Sequence, residues 1–542
     1  MLAIGAASLA TAQPRAAATQ AVAEGVAALE RGEEAAARQA FERALAAEPH
    51  NVTAHTYLGV LADRAGDLAA AERHFAAAAT AAPRLASTLN NYGAILLRMG
   101  RTAQARAQFE ASLKLDPNQP SALVNLAQIR FAAAQPEDLR AARTFFERAE
   151  QIAPDPDIAR ALVVIALKLG ERERAASSYR NYAARLTAPD TTPTSNTSIP
   201  PTAPAAADTA AAATATARAE LGAALAEADL LDEALAELRA AVAVAPDNVN
   251  AVVALARGQL RRKDVPAAGR TLEAAVARGV HAAPVYAALA DVYAAGGYVE
   301  NAIPAMRLAV ERDPRNEAFH YRYALLLLDS RAPAAAVIRM KEALKTLPDS
   351  ARIWLALGIA QLTAGSHAEA EQSFRRALEL DPQSVPALAY LGATADLRGQ
   401  YAPAVAYYER AIALNGQLAA LYFLAADTLL KLPDVDTARV EKYLARANEL
   451  DPALAPARLA LGKFYLRAER WAEAAAQLER AVALAPELTE AHYQLGRAYT
   501  RLKRKAEAQR ELALFKQQSE TARVRGETEV LDLVRRLANV RF

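Results

Sequence analysis

The chain repeats one pattern of apolar and polar positions every 34 residues. Residues 357–382 read LGIAQLTAGSHAEAEQSFRRALELDP, and residues 461–486 read LGKFYLRAERWAEAAAQLERAVALAP. With positions numbered 1–34 in each period, positions 4, 7, 8 and 11 share one face of a helix. Positions 20, 24 and 27 share one face of a second. Position 8 is Gly25, Gly59, Gly93, Gly222, Gly358, Gly392, Gly462 and Gly496, and mostly Ala otherwise. Position 20 is Ala, as in Ala37, Ala71 and Ala370, and position 24 is large, as in Phe41, Phe75, Phe109, Met306, Met340, Phe374 and Tyr408. Small residues at 8 and 20 let two helix backbones approach, and the bulky residue at 24 fills the space beside them. Position 15 is often Gly, as in Gly66 and Gly365, and a glycine just past a helix end adopts the left-handed conformation that terminates it. Proline at 32, from Pro49 to Pro486, stops the second helix. Each period is therefore predicted to be a helical hairpin whose apolar side only another hairpin can cover.

Fourteen such units start near residues 18, 52, 86, 120, 156, 215, 249, 283, 317, 351, 385, 419, 455 and 489, with short insertions near Gln135 and in the unit at 419. The columns resemble the tetratricopeptide repeat, whose signature is Trp-Leu-Gly-Tyr, then Ala-Phe-Ala, then Pro. Trp354-Leu357-Gly358 with Ala370-Phe374-Ala377-Pro382 matches it well, as does Leu58-Gly59 with Ala71-Phe75-Ala78-Pro83. The unit at 156 departs, with Tyr179 and Tyr182 for Phe and Ala, and Val280 and Gly416 replace the closing proline in two others. The resemblance implies an all-α fold, a right-handed α-solenoid of stacked hairpins, with a concave groove that binds extended or helical peptides or other subunits.

Between the fifth and sixth units, residues 188–214 hold five prolines and many threonines, with no Lys, Arg or Glu. This composition predicts a flexible linker. It divides the chain into a first array over 18–187 and a second over 215–518. The alternative is a long ordered loop within one continuous superhelix. Residues 519–542 close the chain with Val530, Leu533, Val534 and Leu537 at helical spacing, which reads as a capping helix or, alternatively, as a docking helix for a partner. Residues 1–17 hold an apolar run from Leu2 to Ala10 and an Ala10-Thr11-Ala12 site with cleavage expected before Gln13. No Lys or Arg precedes the run. An export signal, hence a periplasmic or exported protein, and an alanine-rich frayed end in a cytoplasmic one are the two readings.

Composition narrows the chemistry. The 63 basic and 61 acidic residues leave a net charge of +2, no electrostatic footprint for nucleic acid or an anionic membrane. There is no cysteine, which removes thiol nucleophiles, disulfides and Cys-ligated zinc. No uncharged apolar run of the roughly 18 residues that a membrane span needs is present. The seven histidines form no metal-ligand pair. His55, His320 and His492 all fall at position 4 and are expected to pack between helices. No nucleophile elbow, phosphate-binding loop or paired-glycine turn is present. The expectation is a non-enzyme with no cofactor and no metal. Asn51-Val52-Thr53 and Asn196-Thr197-Ser198 match the glycosylation sequon, a triplet common by chance.

Two sets of residues are candidates for binding. Asn91 and Asn125 occupy position 6 of adjacent units. The family resemblance places that position on the concave face, where asparagine can hold a peptide backbone. The plain alternative is two surface asparagines. Arg467 and Arg501 at position 13 and Lys463 and Arg497 at position 9 put four cations beside Tyr493 in the last two units. At position 13 the helix dipole alone favours a cation, by roughly 0.3–1 kcal/mol, but at position 9 it does not. The patch is expected to grip an acidic or C-terminal peptide segment. Its alternative is a solvated face with counter-charges from Glu469 and Glu490. The chain thus reads as a non-enzymatic scaffold for protein or peptide partners, resembling bacterial envelope proteins that organise secretion or polysaccharide export. The rival readings are a substrate-recruiting subunit of a separate glycosyltransferase or peptidase, and a cytoplasmic regulator.

Overall fold

The computed structural model describes residues 3–187 and 204–521, with side chains over 15–186 and 212–519. They form twenty-eight α-helices, from α1 (Ala3–Glu30) to α28 (Lys505–Thr521), and no strand among the described residues. Odd-numbered helices cover about positions 1–13 of each period and even-numbered helices about positions 17–30, so the fourteen periods are fourteen helix pairs. The chain divides into two compact units, Met1–Arg262 and Lys263–Phe542. Within each unit the odd helix packs on the even helix that follows it, and that helix, except in the fifth hairpin, packs on the next odd one, so hairpins stack in sequence order. The fold is an all-α solenoid.

The hairpin follows from its columns. In the tenth unit, α19 (Ala351–Thr363) starts at Ser350, whose hydroxyl accepts the Ile353 N–H at 3.1 Å and so caps a free donor. Gly358 then faces Phe374 of α20 (His367–Leu380) so closely that a Cβ at Gly358 would lie 2.5 Å from the ring. The Phe374 ring is fully buried and stacks on Tyr390 of α21 (Val385–Leu397), centroids 5.1 Å apart. Where position 8 is Ala290 or Ala324, position 24 is Met306 or Met340, so beside those two methyls a flexible chain replaces the ring. The turn at position 15 is left-handed at Gly66 and Gly365, and equally at Ala134, Asp229, Lys263, Arg331, Glu469 and Lys503. The geometry of the turn demands that conformation whether or not a glycine supplies it.

The histidines at position 4 do more than pack. His55 Nε2 lies 3.0 Å from the Pro49 carbonyl, His320 Nε2 3.0 Å from that of Pro314 and His492 Nε2 2.9 Å from that of Pro486. Trp354 Nε1 donates to Pro348 O at 2.8 Å and Arg458 Nε to Pro452 O at 3.0 Å. A position-4 donor thus satisfies a carbonyl left free where the preceding hairpin ends. The sequence signal was present: each of these side chains carries an N–H.

In unit 1 the structure departs from the expected two arrays. α10 (Arg172–Thr187) and α12 (Leu231–Val244) lie on either side of the Pro/Thr-rich stretch. Yet Val163, Tyr179 and Tyr182 share one core cluster with Leu221, Leu225 and Leu230. Tyr179 Oη donates to Glu237 Oε1 at 3.0 Å inside that core, and Arg218 pairs with the other carboxylate oxygen at 3.4 Å. Stacking therefore continues past the stretch, and the division into units falls at Arg262 and Lys263 instead. Residues 204–214, expected in the linker, open α11 (Pro204–Glu227), because an alanine-rich run behind an N-terminal proline favours helix. Residues 188–203 lie outside the described residues. So do residues 1 and 2 and the side chains of the expected signal run up to residue 14, and 522–542 of the expected C-terminal cap.

Candidate peptide-binding face

First helices of neighbouring hairpins touch one another. In unit 1 these are α3 (Val52–Arg64), α5 (Ala86–Arg98) and α7 (Pro120–Ala133). In unit 2 they are α17 (Glu317–Asp329), α19 and α21, and then α23 (Ala419–Leu429), α25 (Ala455–Arg467) and α27 (Thr489–Arg501). Among the described residues second helices make no comparable contact with each other. Each stack therefore curves with its first helices on the inside. Position 8 points at the partner helix, so at 100° per residue positions 2, 6, 9 and 13 lie about 100–160° round from it, toward the inner face, and 5 and 12 only about 40–60°.

On unit 1, Asn91 and Asn125 do not meet directly. Asn90, at position 5 of α5, joins them: Asn125 Nδ2 donates to Asn90 Oδ1 at 3.2 Å, and Asn90 Nδ2 reaches Asn91 Oδ1 at 3.5 Å. The amide assignments follow from this network. Among the described residues nothing bonds Asn91 Nδ2 or Asn125 Oδ1, so one end of the row offers donors and the other an acceptor. That is the complement of a peptide group. Asn90 was missed by the sequence reading, although its place beside Asn91 at an inner position was a usable signal.

On unit 2 the four cations have different surroundings. Lys463 Nζ pairs with Glu490 at 2.6 Å, so the expected counter-charge is present. Arg497 donates to Gln494 Oε1 at 2.9 Å and lies over the Tyr493 ring, 5.9 Å from its centroid. Tyr493 packs in turn on Phe515, centroids 5.0 Å apart. Arg501 lies over Trp471 at 5.3 Å, and exposed Arg467 has no ion pair among the described residues. The contrast with other units has a local cause. Arg64 and Arg261 pair with Glu34 and Asp229, whereas Arg98 and Lys431 pair with the carboxylate at position 12 of the preceding unit, Asp63 and Asp396, the latter at 2.8 Å. Before Arg467 and Arg501 that position holds Leu430 and Leu466. The patch therefore has Arg467, Arg497 and Arg501 as its available cations, with Tyr493 and Trp471 as flat apolar walls. Further along the inner face burial pushes the Tyr321 hydroxyl up to about 12, against the opposing pull of Arg352. Among the described residues no cluster of three His, Asp or Glu could hold a metal ion, and no helix is long and apolar enough to cross a membrane.

Stacked antiparallel hairpins that present a face of first helices define a helical-repeat interaction protein. Family models described as tetratricopeptide repeat match residues 22–86, 86–119, 283–316, 321–385 and 459–515. The chain belongs to the tetratricopeptide-repeat family. Its fold is similar to that of MamA, with 22% identity over 30% of this chain and 95% of that one and a TM-score of 0.29. A chain of the APC/C hetero-tetramer Cut9–Hcn1 matches at 14% identity over 89% of this chain and 96% of its own, TM-score 0.39. YrrB, a TPR protein with an unusual peptide-binding site, matches at 22% identity over 35% and 96% of the two chains, TM-score 0.29. No curated protein sequence matches the chain.

Proposed function

We propose that the chain is a non-enzymatic scaffold that binds peptide segments or protein subunits on the inner faces of its stacked hairpins. The amide row Asn91–Asn90–Asn125 carries the reading, because its two open ends match the donor and acceptor of a peptide backbone and ignore the side chain. The cations Arg467, Arg497 and Arg501 add a second contact suited to an acidic or C-terminal segment. Affinity capture from native extract tests both. Asn91→Ala with Asn125→Ala should weaken capture through unit 1. Arg497→Glu with Arg501→Glu should weaken capture through unit 2, as should raised salt, since exposed charges are screened within about 10 Å at 0.1 M. Capture unchanged by both doubles and by salt contradicts the reading.

The setting is assembly of a bacterial envelope, secretion or polysaccharide-export complex. That rests on the apolar run Leu2–Ala10 and the Ala10-Thr11-Ala12 site. N-terminal sequencing of protein from its native cell should begin at Gln13. An intact Met1 contradicts export.

A further inference from the structure

Each first helix has a flank that the inner face does not use. Positions 4, 7 and 11 lie about 40–100° round from position 8, on the side opposite to positions 2, 6, 9 and 13. In unit 2 that flank floors two open clefts, at the same place in their hairpins. One has Tyr286, Leu289 and Tyr293 of α15 (Ala283–Ala295) as its floor and a wall on α16 (Val299–Arg312), with a volume of about 430 Å³. The other has Trp354, Leu357 and Gln361 of α19 as its floor and walls on α18 (Pro333–Thr346) and α20, with a volume of about 560 Å³. Both volumes fall within the roughly 300–1,000 Å³ of ligand sites.

The chemistry of the two clefts differs. The α19 cleft mixes Lys341 and Arg376 with Glu369 and favours neither sign. Among the described residues no Lys, Arg or His lines the α15 cleft, and its one charged residue is Glu300. Glu300 is exposed and, among the described residues, in no ion pair. Pro304, inside α16, brings no N–H, so the Glu300 carbonyl one turn back lacks its helical donor and adds an acceptor to the same wall. Tyr293 Oη donates to Glu273 Oε1 of α14 (Val265–Ala277) at 3.0 Å, which sets a second carboxylate beside the floor. Burial and that carboxylate push the Tyr293 hydroxyl up, so the ring stays neutral. One cation is drawn to the floor from within the chain. Arg312 donates to His281 O at 3.1 Å and lies over the Tyr286 ring, 6.0 Å from its centroid. Among the described residues Tyr293 has no such cation.

We propose that the α15 cleft takes an arginine side chain of a partner protein. The guanidinium stacks on the face of Tyr293, where the ring quadrupole is negative, and its forked N–H groups match the two carboxylate oxygens of Glu300. The site lies off the inner faces, so it goes beyond the peptide-binding reading and gives unit 2 a contact that an occupant of the inner face leaves open.

The probe is N-acetyl-arginine amide, titrated into the full chain labelled with 3-fluorotyrosine and read by fluorine NMR. Tyr293→Phe assigns the Tyr293 line. N-acetyl-citrulline amide, of similar shape but uncharged, is the control. The arginine amide should shift the Tyr293 line to saturation, and the citrulline amide should leave it in place. Glu300→Gln, at an exposed position, should keep the fold and weaken the arginine amide about two- to fivefold, as expected for one exposed ion pair. No shift of the Tyr293 line, an equal shift with the citrulline amide, or an affinity unchanged in Glu300→Gln overturns the proposal. None of these outcomes depends on capture at the inner faces, so the two readings fail separately.

Discussion

Substitution of Gly358 by alanine tests the packing rule that builds every hairpin. The added Cβ would sit 2.5 Å from Phe374 Cε1 and 2.6 Å from Cδ1. Carbon atoms settle at about 3.5–4.0 Å, so the ring has to move by roughly 1 Å. It has nowhere to go, because it is fully buried and stacked on Tyr390 with an interplanar angle of 13°. Overpacking of this kind costs about 1–3 kcal/mol. Alanine recovers about 0.5–1 kcal/mol of helix propensity over glycine. The net expectation is a loss of roughly 0.5–2 kcal/mol, localised to the tenth unit and its neighbours. The natural pairs Ala290 with Met306 and Ala324 with Met340 name the remedy. Phe374→Met in the Gly358→Ala background should restore most of the loss, although Phe374→Met alone leaves a gap beside the glycine. The chain has two tryptophans, so Trp471→Phe leaves Trp354, within the perturbed unit, as the reporter of denaturant unfolding. Four curves close a double-mutant cycle, and a coupling near zero, or a Gly358→Ala variant more stable than its parent, refutes the packing argument.

Three further predictions follow from local geometry. Gly365→Ala should cost about 1 kcal/mol although nothing lies within 4 Å of the new methyl, because φ is +83° there, and Arg331→Gly, at φ 58°, should be neutral or stabilising in the same unfolding assay. Burial raises the Glu237 carboxyl above its usual 4.5, opposed by Arg218 and Tyr179. The folded state then holds the proton more tightly than the unfolded one, so this site's contribution is full below about 4.5 and is lost as pH rises through the raised value. Glu237→Gln should flatten that part of the pH profile, and Glu237→Ala should cost about 1–3 kcal/mol by orphaning the buried Tyr179 hydroxyl. Trp354→Phe keeps an aromatic ring but removes the N–H that bonds Pro348 O, and a loss of about 0.5–1.5 kcal/mol in chemical denaturation is expected from that bond.

Much of the fold was legible because a 34-residue repeat states each constraint many times. The columns of small residue, ring and proline set the register of all fourteen units, and the helices follow it. Residues 188–214 misled because prolines and threonines in a sequence do not reveal whether the hairpins beside them touch. Here Tyr179 and Tyr182, noted as departures from the repeat, are the side chains that join Leu221 and Leu225 across that stretch. The left-handed turns at Arg331 and Glu469 were invisible, since only glycine advertises that conformation. Of the candidate site, the amide row was half legible: Asn91 and Asn125 stood out by spacing, but their link is Asn90. The cation patch was legible as charges, whereas which of them Glu490 neutralises, Lys463, needed the fold.

The central claim is that partners bind on the faces formed by first helices. Amide exchange of the full chain, free and with a captured partner, tests it most directly. The account predicts added protection along α3, α5 and α7 or along α25 and α27, with the second helices α20 and α22 (Tyr401–Leu414) unchanged. Protection confined to second helices or to the turns between hairpins would contradict it.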